Sequence, residues 1–262
     1  MKFPLLVAAV SLLAGHLARA ATVPKRQSTN KRGLSFTDVS QTTPFGNSIS
    51  WVFNWAPQMS GTLTPGVEYV PMLWGTSDFA SWNASAKAAI EGGSVHLLGF
   101  NEPDQSDQAN MSPIYAADAW RQYMEPFAGQ AKLVSPAILN GPQGKAWMDQ
   151  FFQACSDCTV DAVALHIYNV DEAADVDSYE ESVTAMYNTY NRPVWLTEFA
   201  DTGESTSDQQ TFLTQIQPFL DGADFVERYA YFSLDESSTG VTSIFVNPDG
   251  TLSDLGQTYA SA

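Results

Sequence analysis

Two glutamates stand where buried strands ought to be ending. The stretch LLGFNEPD (97–104) runs apolar through Leu97, Leu98 and Phe100, then reaches Asn101 and Glu102 before Pro103. The stretch VWLTEFAD (194–201) does the same with Glu198. A pair of carboxylates facing one cleft can split an acetal: one, protonated, gives its proton to the leaving oxygen, and the other, ionised, attacks the anomeric carbon or activates water. Two neighbouring acids also push their pKa values apart, so one pH supports both states. Acids that merely cap or salt-bridge a strand end are the competing explanation. Metal chemistry has little to stand on. Beyond residue 32 the chain has two histidines, His96 and His166, and no H-x-x-x-H pair, so no metal site and no cofactor are expected.

Both acids depend on strands to place them. Short apolar or β-branched runs recur at 33–36, 49–54, 69–73, 95–101, 132–136, 161–167, 193–198 and 225–232. Amphipathic helical patterns fall at 79–91, 113–127, 145–154, 178–190, 207–220 and near 253–259, and the chain between the first strands is less clearly helical. Strands alternating with helices imply parallel βαβ units. Eight of them in 230 residues predict an α/β fold, a single (β/α)8 TIM barrel. An open doubly wound sheet would carry a glycine-rich phosphate loop after its first strand, and none is present. Barrel active sites gather at the C-terminal strand ends. Glu102 would close strand 4 and Glu198 strand 7, on different strands but at one mouth.

Residues 1–20 combine Lys2, an apolar run from Phe3 to Leu17 and the small-residue ending ARA, the pattern of a secretory signal peptide. The following polar stretch carries Lys25-Arg26 and Lys31-Arg32, which predicts a pro-segment, 21–32, and a mature start near Gly33; an uncut tail is the alternative. Removing residues 1–32 leaves 6 basic against 29 acidic residues, a formal charge of −23. Such a surface repels nucleic acid and anionic membranes and suits a neutral partner. With 44% hydrophobic and 12% aromatic residues the chain has ample core. Cys155 and Cys158, the only cysteines, read as a structural disulfide in an oxidising compartment, with a redox-active pair or two free thiols as alternatives. Asn83 and Asn110 begin N-glycosylation sequons. The expected protein is a secreted monomer, extracellular or in a cell wall.

The stretches GFNEPD and VWLTEFA, with RGLSF, WVFNWAP, YVPMLWG, KLVSPA and CTVDAVALHIY in matching order, closely resemble the fungal Asl1-like glycosyl hydrolases, glycoside hydrolase family 128. The resemblance covers nearly all of 33–262. It implies a (β/α)8 barrel that cleaves β-1,3-glucan with retention, Glu102 as acid/base, Glu198 as nucleophile, and Asn101 bonded to the sugar 2-hydroxyl near the nucleophile. A weakly active or non-catalytic glucan-binding wall protein is the second reading, and the same chemistry on a polymer such as β-mannan the third.

Other strand-end residues are candidate sugar contacts, since aromatic rings suit the C–H faces of sugars. They are Asn54 and Trp55 after strand 2, Trp74 after strand 3, His166 and Tyr168 closing strand 6, and Tyr231 and Phe232 ending strand 8. Tyr168 is a candidate to orient Glu198, and His166 to contact the nucleophile region, substrate, or only the core. Trp51 and Trp195, inside strands, read as core. Many barrels of this clan carry a Trp platform near the end of strand 8; YAYFSLDE offers Tyr231, Phe232, Asp235 and Glu236 instead.

Overall fold

A computed structural model describes residues 30–169, 176–201, 205–232 and 245–261. The signal peptide, most of the expected pro-segment, Asp235 and Glu236 lie outside these residues. Eight parallel strands follow one another: β1 (Arg32–Ser35), β2 (Trp51–Phe53), β3 (Glu68–Tyr69), β4 (His96–Leu98), β5 (Lys132–Leu139), β6 (Ala162–Asn169), β7 (Val194–Asp201) and β8 (Val226–Tyr231). Their order in the sheet is β3-β2-β1-β8-β7-β6-β5-β4. The two edges meet: Leu98 N donates to Pro71 O, Leu73 N to Leu98 O and Asn101 N to Trp74 O, at 2.9, 3.0 and 2.9 Å. This closes the barrel just past β3, where the sequence predicted a longer strand.

Helices α1 (Phe79–Glu91), α2 (Pro113–Ala119), α3 (Pro142–Ala154), α4 (Val176–Tyr190), α5 (Thr206–Gly222) and α6 (Asp254–Ser261) pack outside. Among the described residues the first two crossovers lack α-helices. The first is a 3-10 stretch, Val39–Ser48, containing Pro44 and a left-handed Gly46. The second, 54–67, contains two prolines and two glycines and forms no helix. The helix expected over 113–127 stops at Ala119, widens into a π turn over Trp120–Met124 and tightens to 3-10 at Glu125–Phe127. Pro126 has no N–H to continue it. Cys155 and Cys158 are joined in the turn after α3. No helix among the described residues is long and apolar enough to cross a membrane.

The barrel interior is small and aromatic at its floor. Trp51, Phe53, Val70, Met72, Leu98, Val134, Ala137, Ala162, Ala164, Trp195 and Ala230 form one buried cluster, with Trp55 and Trp74 against it. Trp51 and Trp195 are fully buried, their ring centres 5.0 Å apart, as expected of core residues.

The basic pair expected to end a pro-segment makes contacts within the fold. Arg32 is the first residue of β1 and only 7% exposed. Its guanidinium donates to Tyr229 Oη (2.9 Å), to the last carbonyls of α6 at Tyr259 and Ala260 (3.4 and 3.2 Å), and to Asp221 (2.9 Å). Lys31 Nζ donates to the carbonyls of Leu220 and Ala223 at the end of α5. A mature start at Gly33 would delete all of these bonds, whereas a cut after Lys25-Arg26 would keep them. N-terminal sequencing of the folded protein should give a first residue upstream of Lys31, and Arg32→Ala should cost about 1.5–3 kcal/mol in urea unfolding.

Candidate active site

Glu102 and Glu198 meet at the C-terminal mouth of the barrel with His166 between them. Imidazole Nδ1 lies 2.7 Å from Glu102 Oε1, and Nε2 lies 3.5 Å from Glu198 Oε1. One oxygen from each glutamate and one imidazole nitrogen all fall within 4.8 Å of one another. His166 is fully buried, and the two glutamate side chains are 10% and 7% exposed.

Local backbone geometry aims these groups. Glu102 has φ +43° and Trp55 φ +52°. The other described non-glycine residues in this region are asparagines, which tolerate it. A glutamate and a tryptophan held there store strain of about 1–3 kcal/mol each, as functional sites often do. A bulge does the rest. The β6–β7 register runs Leu165–Leu196 and then His166–Glu198, so Thr197 and Glu198 together oppose His166. In a regular strand these two side chains would point to opposite faces. Here Thr197 Oγ1 sits 2.9 Å from His166 Nε2 while Glu198 reaches the same ring. Thr197 can accept from Nε2–H, which leaves a proton on the line between Nδ1 and Glu102.

The two acids have different company. Glu198 Oε1 accepts from the indole N–H of Trp55 at 2.6 Å, and Oε2 accepts from the Tyr168 hydroxyl. Among the described residues the Glu102 carboxyl has one side-chain hydrogen-bond partner, His166. Burial pushes the Glu198 carboxyl up; the charge of His166 and the donors Tyr168 and Trp55 pull against it, and Glu102 adds to the rise. For His166, burial acts to lower the imidazole pKa, but Glu198 and Glu102 outweigh it and the ring is raised. Burial and the Glu198 charge lift the Tyr168 phenol well above its ordinary range, so it stays a donor. Removing that donor makes the Glu198 anion less stable. Tyr168→Phe should lower kcat/KM about 10- to 100-fold and move the acidic limb of the pH profile upward, while thermal unfolding stays near wild type.

The remaining candidates divide. Phe232 lies edge-on to both Trp55 and Tyr168, with ring centres at 5.6 and 5.7 Å, and joins the site wall. Trp74 rests on the inner cluster beside Asn101. Asn101 is buried next to Glu102 and donates from Nδ2 to Gln108 Oε1 at 3.2 Å. Asn54 turns away, bonding Gln58 O and the Tyr69 hydroxyl. Tyr231 is corrected to core: it is fully buried among Phe199, Phe245 and Tyr259, and its hydroxyl meets Gln209 and Asp201 N. Alternation along β8 puts Ala230 inside the barrel and Tyr231 under the helices. Asn83 is exposed in α1, and Asn110 is exposed in a left-handed turn before α2. Sequence reading missed Thr197 and Gln108. Only the bulge and the fold-back of the loop 103–111 bring them in.

Residues 33–259 match the family described as glycosyl hydrolase catalytic core. The chain is 36% identical over 250 residues to alkali-sensitive linkage protein 1 of Schizosaccharomyces pombe, spanning 88% of this chain and 44% of that protein's length. Among solved structures it resembles a family 128 subgroup III curdlan-specific exo-β-1,3-glucanase from Blastomyces gilchristii, crystallised with glucose. That match has 39% identity and a TM-score of 0.81, over 92% of this chain and 100% of the other. It also resembles a subgroup I endo-β-1,3-glucanase from Amycolatopsis mediterranei, a Glu-to-Gln variant bound to laminarihexaose. Here identity is 33% and the TM-score 0.78, over 89% of this chain and 99% of the other. The chain belongs to the glycosyl hydrolase catalytic core family, in its Asl1-like, family 128 branch.

Proposed function

We propose that this protein is a secreted retaining hydrolase of β-1,3-glucan, with Glu198 as nucleophile and Glu102 as acid/base. The observation that carries this reading is the unequal setting of two closely spaced acids. Retaining glycosidases hold their carboxyl groups about 5–5.5 Å apart, and oxygens of Glu102 and Glu198 fall within 4.8 Å. Glu198 receives an indole N–H and a phenol O–H, and faces the imidazole as well. Those donors favour the ionised form. Its oxygen attacks the anomeric carbon as Glu102 passes its proton to the departing glycosidic oxygen, giving a glycosyl ester and a shortened chain. Glu102, now ionised, takes a proton from water, whose oxygen displaces Glu198 from the same carbon. His166 steadies Glu102 throughout, and Phe232, Trp55 and Trp74 offer apolar faces to the sugar. The glucose and laminari-oligosaccharides bound by the similar glucanases support a β-1,3-glucan substrate. The leader-like residues 1–20 support secretion toward a wall or extracellular glucan.

The test is a product profile on curdlan and laminarin beside β-1,4-glucan and β-mannan, with the anomer of the first-formed product read by NMR. Cleavage of the β-1,3-linked polymers to a β-anomer is expected. Binding without cleavage of any polymer would favour a glucan-binding role without turnover, and an initial α-anomer would overturn the double displacement.

A further inference from the structure

We propose that Thr197 is a positioning residue for the acid/base: its hydroxyl, able both to accept from and to donate to Nε2 of His166, keeps the Nδ1 proton of that ring directed at Glu102 whether the imidazole is charged or neutral. The bulge in β7 places it. Thr197 and Glu198 together oppose His166, so Nε2 meets a hydroxyl oxygen at 2.9 Å and a carboxyl oxygen at 3.5 Å. Bulges near active sites commonly re-aim a side chain. This one adds a hydroxyl to a nitrogen that would otherwise meet only the nucleophile. Thr197 and His166 are both fully buried, and among the described residues the hydroxyl bonds no side chain but His166. Bulk water does not reach Nε2, so these two neighbours decide whether it carries a proton.

The two neighbours differ in what they can do. An ionised carboxylate only accepts, whereas a hydroxyl does either. With the ring charged, Nδ1–H donates to Glu102 Oε1 across 2.7 Å and Nε2–H donates to Thr197. With the ring neutral one proton remains, and the bond made at one nitrogen selects the state of the other. Glu198 alone would draw that proton to Nε2 and turn Nδ1 into a lone pair aimed at Oε1. The lone pair would then hold the Glu102 proton on Oε1, away from the glycosidic oxygen. Thr197 reverses the preference. Its O–H donates to Nε2, the ring proton stays on Nδ1, and Oε1 remains an acceptor. The proton of Glu102 then occupies Oε2, which has no side-chain hydrogen-bond partner among the described residues and can pass it to the leaving oxygen. The titratable groups that face this network are Glu102 and Asp104 from the turn after β4, Glu198 from β7, and Tyr168, which holds the far oxygen of Glu198. Burial acts to lower the pKa of the ring, and the three acids outweigh it.

The effect on turnover rests on the function proposed above; the place of the ring proton does not. Nitrogen-15 NMR of the histidine-labelled protein reads that place without substrate, with only His96 and His166 to separate beyond residue 32. In wild type, Nδ1 of His166 should stay protonated through the titration of the ring. In Thr197→Val the proton of the neutral ring should move to Nε2, and Thr197→Ser should return it to Nδ1. Losing the acceptor also destabilises the charged ring and lowers its pKa, so the alkaline limb of the pH profile should move to lower pH in Thr197→Val. Above the pKa of the ring that variant should lose about 10- to 100-fold in kcat/KM on laminari-oligosaccharides, and far less on a dinitrophenyl glycoside, which needs no acid. Thr197→Ser should restore both. A role in packing alone would lower Tm without moving the limb or separating the two substrates. A wild-type ring whose neutral form carries its proton on Nε2 overturns the proposal whatever the variants do, and so does a folded Thr197→Val with the wild-type tautomer. A protein with the expected tautomers that cleaves no glucan would keep the role of Thr197 in holding the ring and remove the proposed function.

Discussion

Glu198→Ala should be nearly inactive on every substrate, whereas Glu102→Ala should keep most of its activity where the leaving group departs unaided. A nucleophile has to attack whatever the aglycone, so loss of Glu198 is expected to cost more than about 10^4-fold on laminari-oligosaccharides and activated aryl laminaribiosides alike. A general acid matters in proportion to the basicity of the leaving oxygen. Loss of Glu102 should cost about 10^2- to 10^4-fold on the polymer and far less on a dinitrophenyl glycoside. Azide separates the roles further. In Glu102→Ala the glycosyl ester still forms and azide opens it from the opposite face, giving a β-glycosyl azide. In Glu198→Ala azide attacks the substrate itself in the nucleophile's place, giving an α-glycosyl azide. Reversed anomers would exchange the two assignments. Both variants should unfold close to the wild-type temperature, because Glu102 is held in a strained left-handed conformation and neither carboxylate anchors core packing.

Why these two acids could be read from sequence, and their neighbours could not, follows from how each position is specified. Glu102 and Glu198 terminate apolar runs, and a parallel barrel sends every such terminus to one face. Thr197 has the same local signature as any strand residue. Its partnership with His166 exists because the β6–β7 register slips by one residue, and no residue type in VWLTEF announces that slip. Tyr231 shows the reverse failure. It sits at a strand end, but inside-or-outside is a property of pleat phase, and one residue moved it from the cleft to the helix layer. The contacts of Lys31 and Arg32 were illegible for a third reason. A dipeptide carries no record of partners 189 to 228 residues away at Asp221 and Ala260. The first two crossovers were the weakest helical patterns in the chain, and the structure fills them without α-helices. Local pattern therefore predicted the alternation and the mouth, while non-local register decided which side chains reach it.

The opposite end of the barrel should respond to mutation through stability alone. Glu68 opens β3, and its carboxylate accepts from Val95 N (2.8 Å), His96 N (3.0 Å) and Arg228 Nη2 (2.6 Å), with His96 Nδ1 at 3.1 Å. Arg228 is 4% exposed and lies over the rings of Trp195 and Trp51, 4.9 and 5.7 Å from their centres. These charges and indoles plug the floor of the barrel. Removing one partner leaves the other charge buried and unpaired, so Arg228→Met should cost about 3–5 kcal/mol. For a domain of this size that lowers Tm by roughly 6–20 °C. The double variant Glu68→Met/Arg228→Met should recover much of the loss, since a well-packed apolar pair can replace a buried ion pair. Acidity should expose the same cluster. Burial alone would raise the Glu68 carboxyl, but the hydrogen bond from His96 and the charge of Arg228 outweigh it and hold the pKa below the ordinary value. A depressed carboxylate stabilises the fold fully above its unfolded pKa, about 4.3, and that contribution disappears as pH falls through the lower folded value. Urea unfolding as a function of pH should therefore lose stability below about pH 4.3, and Glu68→Gln should be less stable at neutral pH but flatter through that acidic range. Because the cluster sits at the strand starts and the catalytic acids at the strand ends, kcat/KM of the folded variants well below their Tm should stay within about twofold of wild type. A large fall in kcat at temperatures where Arg228→Met is fully folded would mean that the floor of the barrel reaches the glutamates after all, through the shared stack of Trp51, Phe53 and Trp55.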